Sequence, residues 1–566
     1  MLRKKVFAGL AILSVGALAL AGCAAGDSGG GNTSTGGASS APTAEALPLV
    51  GYEAVAYDDL ADGGTLNLSV NSSPTDEGSW NPNHALAANV DVQNLLEPTL
   101  GNLGTVEEDG SWAPNPDYAT SMELTSESPQ VVTIKLNDKA VFEDGTPITA
   151  DDWKSTLVAL QGAESGYEVV PSSIFAAIGS IDVVSPTEFT VSFPEPYADW
   201  GNLALIPVLP KAINENKDDF NTGYAAKPVP SAGPYVIDKI DNDAKIYTMK
   251  PNPNWWGQKP KLESLTFKVI AQESLPQAYA NDEVDALEIL TPDALETAQT
   301  KAGAVVERSG GVTWAHVTFN GTAEPFDDVN VRKAVAMAID RETIARVANE
   351  PLGAPATVQG QWTFMPGQAG YVDTFDEKVG SDLDKAKALL EESGWTNADG
   401  KWTKDGKTLT FAVTVPAGTQ SNINRALGVQ DSLKKLDIEV TLNEVPSENY
   451  FTNIDAKDFQ AVTFGWQGTV FPIASAETLY TPADSPQNYP GITDDRLADL
   501  WKKANAELDP EARIKIANEI DEVIADYMPS VPIYPYPEVV AVDEKVANYG
   551  TATFQSNDWT LIGYTK

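Results

Sequence analysis

The chain has 566 residues, 80 acidic and 38 basic, for a formal net charge of −42. Phosphate binding needs clustered Lys and Arg, so this balance excludes a nucleic-acid partner and argues against docking on anionic lipid through basic patches. One cysteine excludes an internal disulfide, and two histidines, His84 and His316, leave little for a zinc site or a histidine relay, so no metal or cofactor is expected.

In chain order, Arg3, Lys4 and Lys5 precede an uncharged run, Val6 to Leu20. That run is short for a transmembrane helix, which needs ~20 apolar residues, and suits a signal sequence. Leu20-Ala21-Gly22-Cys23 then resembles a bacterial lipobox. Residues 1–22 are expected to be a lipoprotein signal peptide, and Cys23 the lipidated first residue of the mature chain. The Gly-, Ser-, Thr- and Ala-rich stretch that follows predicts a flexible tether over 23–57. It would hold the globular part at the extracytoplasmic face of the cell membrane by lipid and not by a helix.

From residue 58 onward strands and helices alternate. GGTLNLSV (63–70), VVTIKLN (131–137) and EFTVSF (188–193) alternate apolar and polar residues and predict half-buried strands. VRKAVAMAID (331–340) and LDKAKALLEESG (383–394) carry apolar residues at helical spacing, with Gly394 as the C-cap of the second. DSLKKLDIEVTLNEV (431–445) reads as helix then strand, and 496–527 as two helices. In VFEDGTPITADDW (141–153), Asp144-Gly145 predicts a tight turn, and Thr149 caps a helix with Asp151 and Asp152 in its first turn. The mixture predicts α/β domains.

Catalytic signatures are missing. There is no HExxH and no GxSxG. Gly406-Lys407-Thr408 has the ending of a P-loop, but Gly400 stands one residue too far back, and DGKWTKDGKTLTF predicts a β-hairpin with Asp-Gly turns instead. A carboxylate pair of glycosidase type is allowed by composition, but no pair is singled out. The chain is expected not to be an enzyme.

Eight blocks, in order, resemble family 5 extracellular solute-binding proteins, the peptide-, dipeptide- and nickel-type receptors of ABC importers. They are the block at 141–153, SAGPYVI (231–237), MKPNPNWWGQKPKLESLTFKVI (249–270), AYANDEVDALEIL (278–290), FDDVNVRKAVAMAIDRETI (326–344), DLDKAKALLEESGW (382–395), LKKLDIEVTL (433–442) and YMPSVPIYPYP (527–537). NPDY (115–118), PYADW (196–200) and NDWTLIGY (557–564) resemble a lipoprotein branch of high-GC Gram-positive bacteria, some of whose members are linked to envelope glycolipid assembly.

The resemblance implies a two-lobed periplasmic-binding-protein-like α/β fold of type II, with an extra subdomain and a hinge between the lobes. Mapped here, 58–98 starts lobe I, 99–228 is the extra subdomain, 229–312 resumes lobe I, 313–531 forms lobe II and 532–566 returns to lobe I. The crossings fall near Gly311-Val312-Thr313 and Pro529-Ser530-Val531. Gly145, Gly233, Pro234 and Trp256 are expected to serve turns and packing, and Arg332 and Asp340, eight apart on one predicted helix, a charge network.

By the same resemblance, the ligand contacts are Ser69 and Asn71, after the first lobe I strand, and Trp466, Gln467, Thr469 and Phe471, after the Gly-Trp of lobe II. Trp466 and Phe471 would stack on the solute, and Gln467 and Thr469 would hydrogen-bond to it. Trp80, Trp314, Tyr489 and His84 are weaker candidates with structural roles. In di- and oligopeptide receptors a carboxylate just after this Gly-Trp binds the peptide's α-ammonium. GWQGTVFPIASAE has no acid before Glu477, and a buried ammonium without a carboxylate is costly, so free-amine peptides lose ground to neutral ligands, amine-blocked peptides, sugars or glycolipid headgroups. The expected role is a monomeric receptor that delivers a peptide or peptide-like solute to ABC permease subunits. The alternative is a non-transport lipoprotein that binds an envelope glycolipid or glycan.

Overall fold

The computed structural model describes residues 47–566, except 163, 164 and 171. The signal peptide, the lipobox and Cys23 lie outside the described residues, as does most of the expected tether.

Two sheet systems face each other. In lobe I a four-stranded sheet has the order Thr65–Val70, Ser264–Val269, Ile246–Pro251, Tyr235–Asp241, with the first pair parallel and the rest antiparallel. A smaller antiparallel sheet joins Ala286–Glu288, Glu538–Asp543 and Ala304–Ser309. Lobe II is built on five strands in the order Glu439–Val445, Thr410–Pro416, Ala461–Gln467, Thr313–Phe319, Ser530–Pro535. Its first three strands are parallel, and the last two pair antiparallel. Between lobe I segments lies an antiparallel meander of Ala119–Glu127, Gln130–Leu136, Glu188–Phe193 and Ser180–Ser185, with its own core around Trp153, Phe189 and Phe193.

Local sequence accounts for these elements. Gln130–Leu136 buries alternate residues, as period-two patterning requires. In Thr313–Phe319, in the interior of its sheet, every residue after Thr313 is buried, because lobe II packs on both faces. Thr149 N–H donates to the Asp152 carboxylate at 2.9 Å, closing the start of helix Ala150–Leu160. Helix Leu383–Glu392 ends with Gly394 in the left-handed region, φ 83°. Asp399-Gly400 and Asp405-Gly406 all have positive φ, the condition for two tight hairpin turns.

Three expectations need correction. The tether does not extend to residue 57: Gly51 N–H donates to Thr551 O at 2.9 Å, Gly310 N–H to Pro48 O at 3.0 Å, and Leu49 packs against the lobe II core. The Gly/Ser run has given way to Leu-Pro-Leu-Val here, and this apolar piece docks. The second crossing is not at 529–531. Ser530–Pro535 lies wholly in the lobe II sheet and Glu538–Asp543 in the small lobe I sheet, so the chain crosses at Tyr536-Pro537. Pro532 and Pro535 mimic a loop in the sequence, but this is an edge strand, where a missing N–H is tolerated. The first crossing runs through 310–312, between Ala304–Ser309 and Thr313–Phe319.

Arg332 and Asp340 form no common network. Arg332 donates to Tyr527 O, Met528 O and Phe326 O, which caps the C-terminus of helix Pro510–Tyr527. Its helix stops at Ala338, and Asp340 caps the next one, accepting from Thr343 N–H at 3.1 Å while Lys435 lies 3.1 Å away.

Candidate functional site

A cavity of about 1290 Å³ opens between the lobes. Lobe I contributes the C-terminal end of strand Thr65–Val70, the start of helix Val90–Leu96 and the edge of the small sheet. The open ends of parallel strands are where α/β sheets bind ligands, because loops there diverge and leave a crevice. Asp91 fixes this rim: its Oδ1 accepts from the Asn71 backbone N–H at 2.9 Å and from Asn71 Nδ2 at 3.4 Å. Lobe II contributes Thr313, Gly465, Gln467, Tyr534, Tyr536 and the first turns of helix Gln420–Leu433, including Arg425.

Of the residues expected to touch ligand, Ser69, Asn71 and Gln467 line this cavity. Trp466, Thr469 and Phe471 do not. Side chains alternate along a strand, so Gly465 and Gln467 face the cavity while Trp466 turns to the other side of the sheet. There Trp466 is sandwiched between His316, 5.8 Å away and 12° from parallel, and Tyr489, at 5.5 Å and 9°. Phe464 meets it edge-on at 4.9 Å. Thr469 Oγ1 accepts from Phe471 N–H at 3.2 Å and lies 3.1 Å from Ser475 Oγ, at the entrance to helix Pro472–Tyr480. These two residues shape a helix start. Trp80 and Trp314 are core residues. His84 caps the turn Ala85–Ala87, its Nδ1 accepting from Leu86 N–H at 3.0 Å, and its Nε2 meets Glu168 at 3.1 Å.

The two walls differ in charge. Lobe I presents Asp91, Glu288 and Glu538. Burial, and then the negative charge of Glu288, push the Glu538 carboxyl up to about 7. Burial and then Asp91 raise Glu288. Lobe II presents the buried Arg425, whose partners are Thr463 Oγ1, Tyr534 Oη at 2.9 Å, Tyr536 Oη at 2.7 Å and Asn422 Oδ1 at 3.1 Å. Burial, and then the positive charge of Arg425, hold His316 well below the usual histidine range, so its imidazole is neutral. Val90, Leu290 and Val347 are exposed apolar side chains at the cavity edge. Stereospecific polar groups set in a largely apolar crevice suit capture of a small solute. Among the described residues no cluster of His, Cys, Asp and Glu is suited to hold a metal ion.

Sequence reasoning missed Arg425, Tyr534, Tyr536, Glu288 and Glu538. The tyrosines stood within the YPYP of a matched block, in the segment expected to return to lobe I, and were given no part in the site. The two glutamates were hidden among 80 acidic residues.

Comparison with known proteins agrees with this geometry. Residues 113–508 match the family described as "Bacterial extracellular solute-binding proteins, family 5 Middle". The oligopeptide-binding protein OppA of Mycobacterium tuberculosis is 32% identical over 538 residues, covering 93% of this chain and 90% of its own. The oligopeptide-binding protein AppA of Bacillus subtilis is 26% identical, over 74% of this chain and 77% of its own. Among solved structures, the periplasmic EDTA-binding protein EppA superposes with a TM-score of 0.80 at 26% identity, over 93% of this chain and all (100%) of its own. AppA of Bacillus subtilis, solved with a nonapeptide, superposes with a TM-score of 0.69 at 22% identity, over 90% and 100%, which speaks to fold alone. A cleft between two α/β lobes, a family match over most of the chain and a relative aligned nearly end to end lead to one conclusion: the chain belongs to the family 5 extracellular solute-binding proteins.

Proposed function

We propose that the protein is the receptor of an ABC importer, tethered to the membrane through lipid on Cys23, that takes a peptide or peptide-like solute into the inter-lobe cavity and presents it to a permease. The observation that carries this reading is the cavity itself: about 1290 Å³, walled by both lobes and rimmed by polar groups, in a chain with an oligopeptide-binding relative over 93% of its length. Such a volume takes a peptide of several residues or a solute of like size. Solute that touches both walls favours the closed arrangement by its differential affinity, and that arrangement is what a permease would read. The chain needs no chemistry of its own for this role.

The objection from sequence, that no acid follows Gly465-Trp466, weakens in the folded molecule. Asp91, Glu288 and Glu538 face the same cavity from the other lobe, so a cationic group has counter-charges there. A second reading, a carboxylate-rich chelate as solute, is favoured by the EDTA-binding neighbour.

The test is native mass spectrometry of the protein purified from its own host without unfolding. A discrete adduct of peptide mass, with a Cys23→Ala variant that leaves the membrane fraction, is expected. An adduct of sugar or lipid mass would replace the peptide reading with a glycan or glycolipid one.

A further inference from the structure

We infer that the turn Glu350–Gly353 is a pin across the hinge: it belongs to lobe II by chain and to lobe I by packing, and Arg308 holds it in place. The pin limits how far the cleft opens in the solute-free protein. This concerns how the lobes are joined, and its test needs no solute, so it stands apart from the identity of what the cavity takes.

Helix Arg341–Asn349 is a lobe II element, with Ile344 and Ala345 in that lobe's core. It runs directly into the turn Glu350–Leu352, which Gly353 ends in the left-handed region at φ 73°. Leu352 then leaves its own lobe. It is 9% exposed and packs in an apolar cluster with Leu275, Leu287, Ile289, Leu295 and Val539. Every other buried member of that cluster comes from lobe I, from 275–298 or from the strand Glu538–Asp543. Pulling the turn out would return a buried leucine to water, so the hydrophobic effect opposes any opening motion that unseats it.

Arg308 adds a polar hold. It lies on the lobe I strand Ala304–Ser309, just before the first crossing. Its Nε donates to Leu352 O at 2.8 Å, and its Nη1 reaches back to Val306 O at 3.3 Å. Leu352 O stands at the end of a helical run, where carbonyls lack helical partners and the dipole is negative, so a guanidinium suits it. The fit is close: a Cβ on Gly353 would stand 2.7 Å from Arg308 Nη2. Because the pin sits beside the crossing, rotation of the lobes displaces it little, and it stays seated as the cleft opens and closes. Ile344, Val347 and Ala348, on the helix that leads into the turn, line the cavity. An element that faces the solute is thereby fastened to both lobes.

Distances between spin labels test this in the solute-free full chain. The labels go on Lys239→Cys in lobe I and Ala388→Cys in lobe II, both exposed positions, with Cys23→Ala removing the only native cysteine. Leu352→Ala and Arg308→Gln should each broaden the distribution and extend it to longer distances. Arg308→Lys, which keeps a donor, should show a smaller change. The double variant should add little to Leu352→Ala, because both substitutions act on one pin. Leu433→Ala opens a void inside the lobe II core, so it controls for general destabilisation and should leave the distribution as it is. An unchanged distribution in either folded variant, or the same change in Leu433→Ala, would overturn the inference. Hydrogen exchange on the unaltered protein decides the matter where the variants fail to fold. Gly353 and Ala354 N–H donate to Glu350 O and Asn349 O, and with the pin seated they should be protected like the strand Glu538–Asp543. Exchange at the rate of an open loop would rule the pin out.

Discussion

Trp466 and Gln467 are neighbours on one strand and face opposite sides of their sheet, so their substitutions should separate stability from binding. Trp466→Ala removes the middle ring of the stack with His316 and Tyr489 and should cost about 2–4 kcal/mol in denaturant unfolding, with solute affinity per folded molecule unchanged. Gln467→Ala should leave the unfolding midpoint in place and weaken solute binding by several-fold, measured by calorimetry. The reverse pattern would put Trp466 back in the site. Glu538 gives a pH signature. Its carboxyl is raised from 4.5 to about 7, so the folded state keeps a proton that the unfolded state has already released between those values. Stability contributed by this group is therefore present below about 4.5 and lost as pH rises through 7, by on the order of 2 kcal/mol. Glu538→Gln should flatten the fall in Tm between pH 5 and pH 8 relative to the unaltered protein. Identical slopes would show that Glu538 ionises normally. At this scale the family resemblance pointed to Ser69, Asn71 and Gln467, which lie at strand ends and line the cavity. Nothing pointed to Arg425. It reads as one polar residue in a helix, and its meaning comes from Thr463, Tyr534 and Tyr536, which only the fold brings to it.

The hairpin between Thr396–Ala398 and Lys407–Thr408 isolates a backbone effect at the scale of the element. Gly406 has φ 78°, and a Cβ placed there would meet nothing within 4 Å. Gly406→Ala should therefore cost about 1 kcal/mol through backbone strain alone, read as a lower denaturant midpoint with unchanged slope. A neutral result would mean that the turn relaxes to another type. Asp-Gly turns, period-two strands and capped helices were legible because each is determined within a few residues. Elements whose limits depend on partners were not. The strand Ser530–Pro535 carries two prolines and was read as a boundary, because edge position is a property of the sheet and not of the segment. Asp340 was placed on the preceding helix because apolar periodicity runs through Ile339, while the backbone turns extended there, at ψ 119°.

The whole molecule has a connection that neither crossing provides. Both crossings run side by side, with Tyr536 N–H donating to Thr313 O at 2.8 Å, and the arm at Pro48–Val50 docks beside them. Mechanically these form one attachment between the lobes. A second is made by Asp199 in the PYADW segment, which pairs with Arg513 at the start of helix Pro510–Tyr527, while Ala198 N–H donates to Asn505 O at 2.8 Å. Asp199 is 3% exposed, so the pair is shielded from salt. Two attachments define a line, and rotation about that line is the relative motion that preserves both. Asp199→Asn keeps the shape of the contact and removes its charge, leaving Arg513 without a counterion. This variant should lose about 3 kcal/mol of stability, and the distance distribution between spin labels on the two lobes should broaden in the solute-free protein. Solute affinity should fall as well, because ordering a wider ensemble costs more entropy on closure. An unchanged distribution in a destabilised Asp199→Asn protein would confine the pair to packing and leave lobe motion guided by the paired crossings and the contacts beside them, such as Arg308 donating to Leu352 O at 2.8 Å.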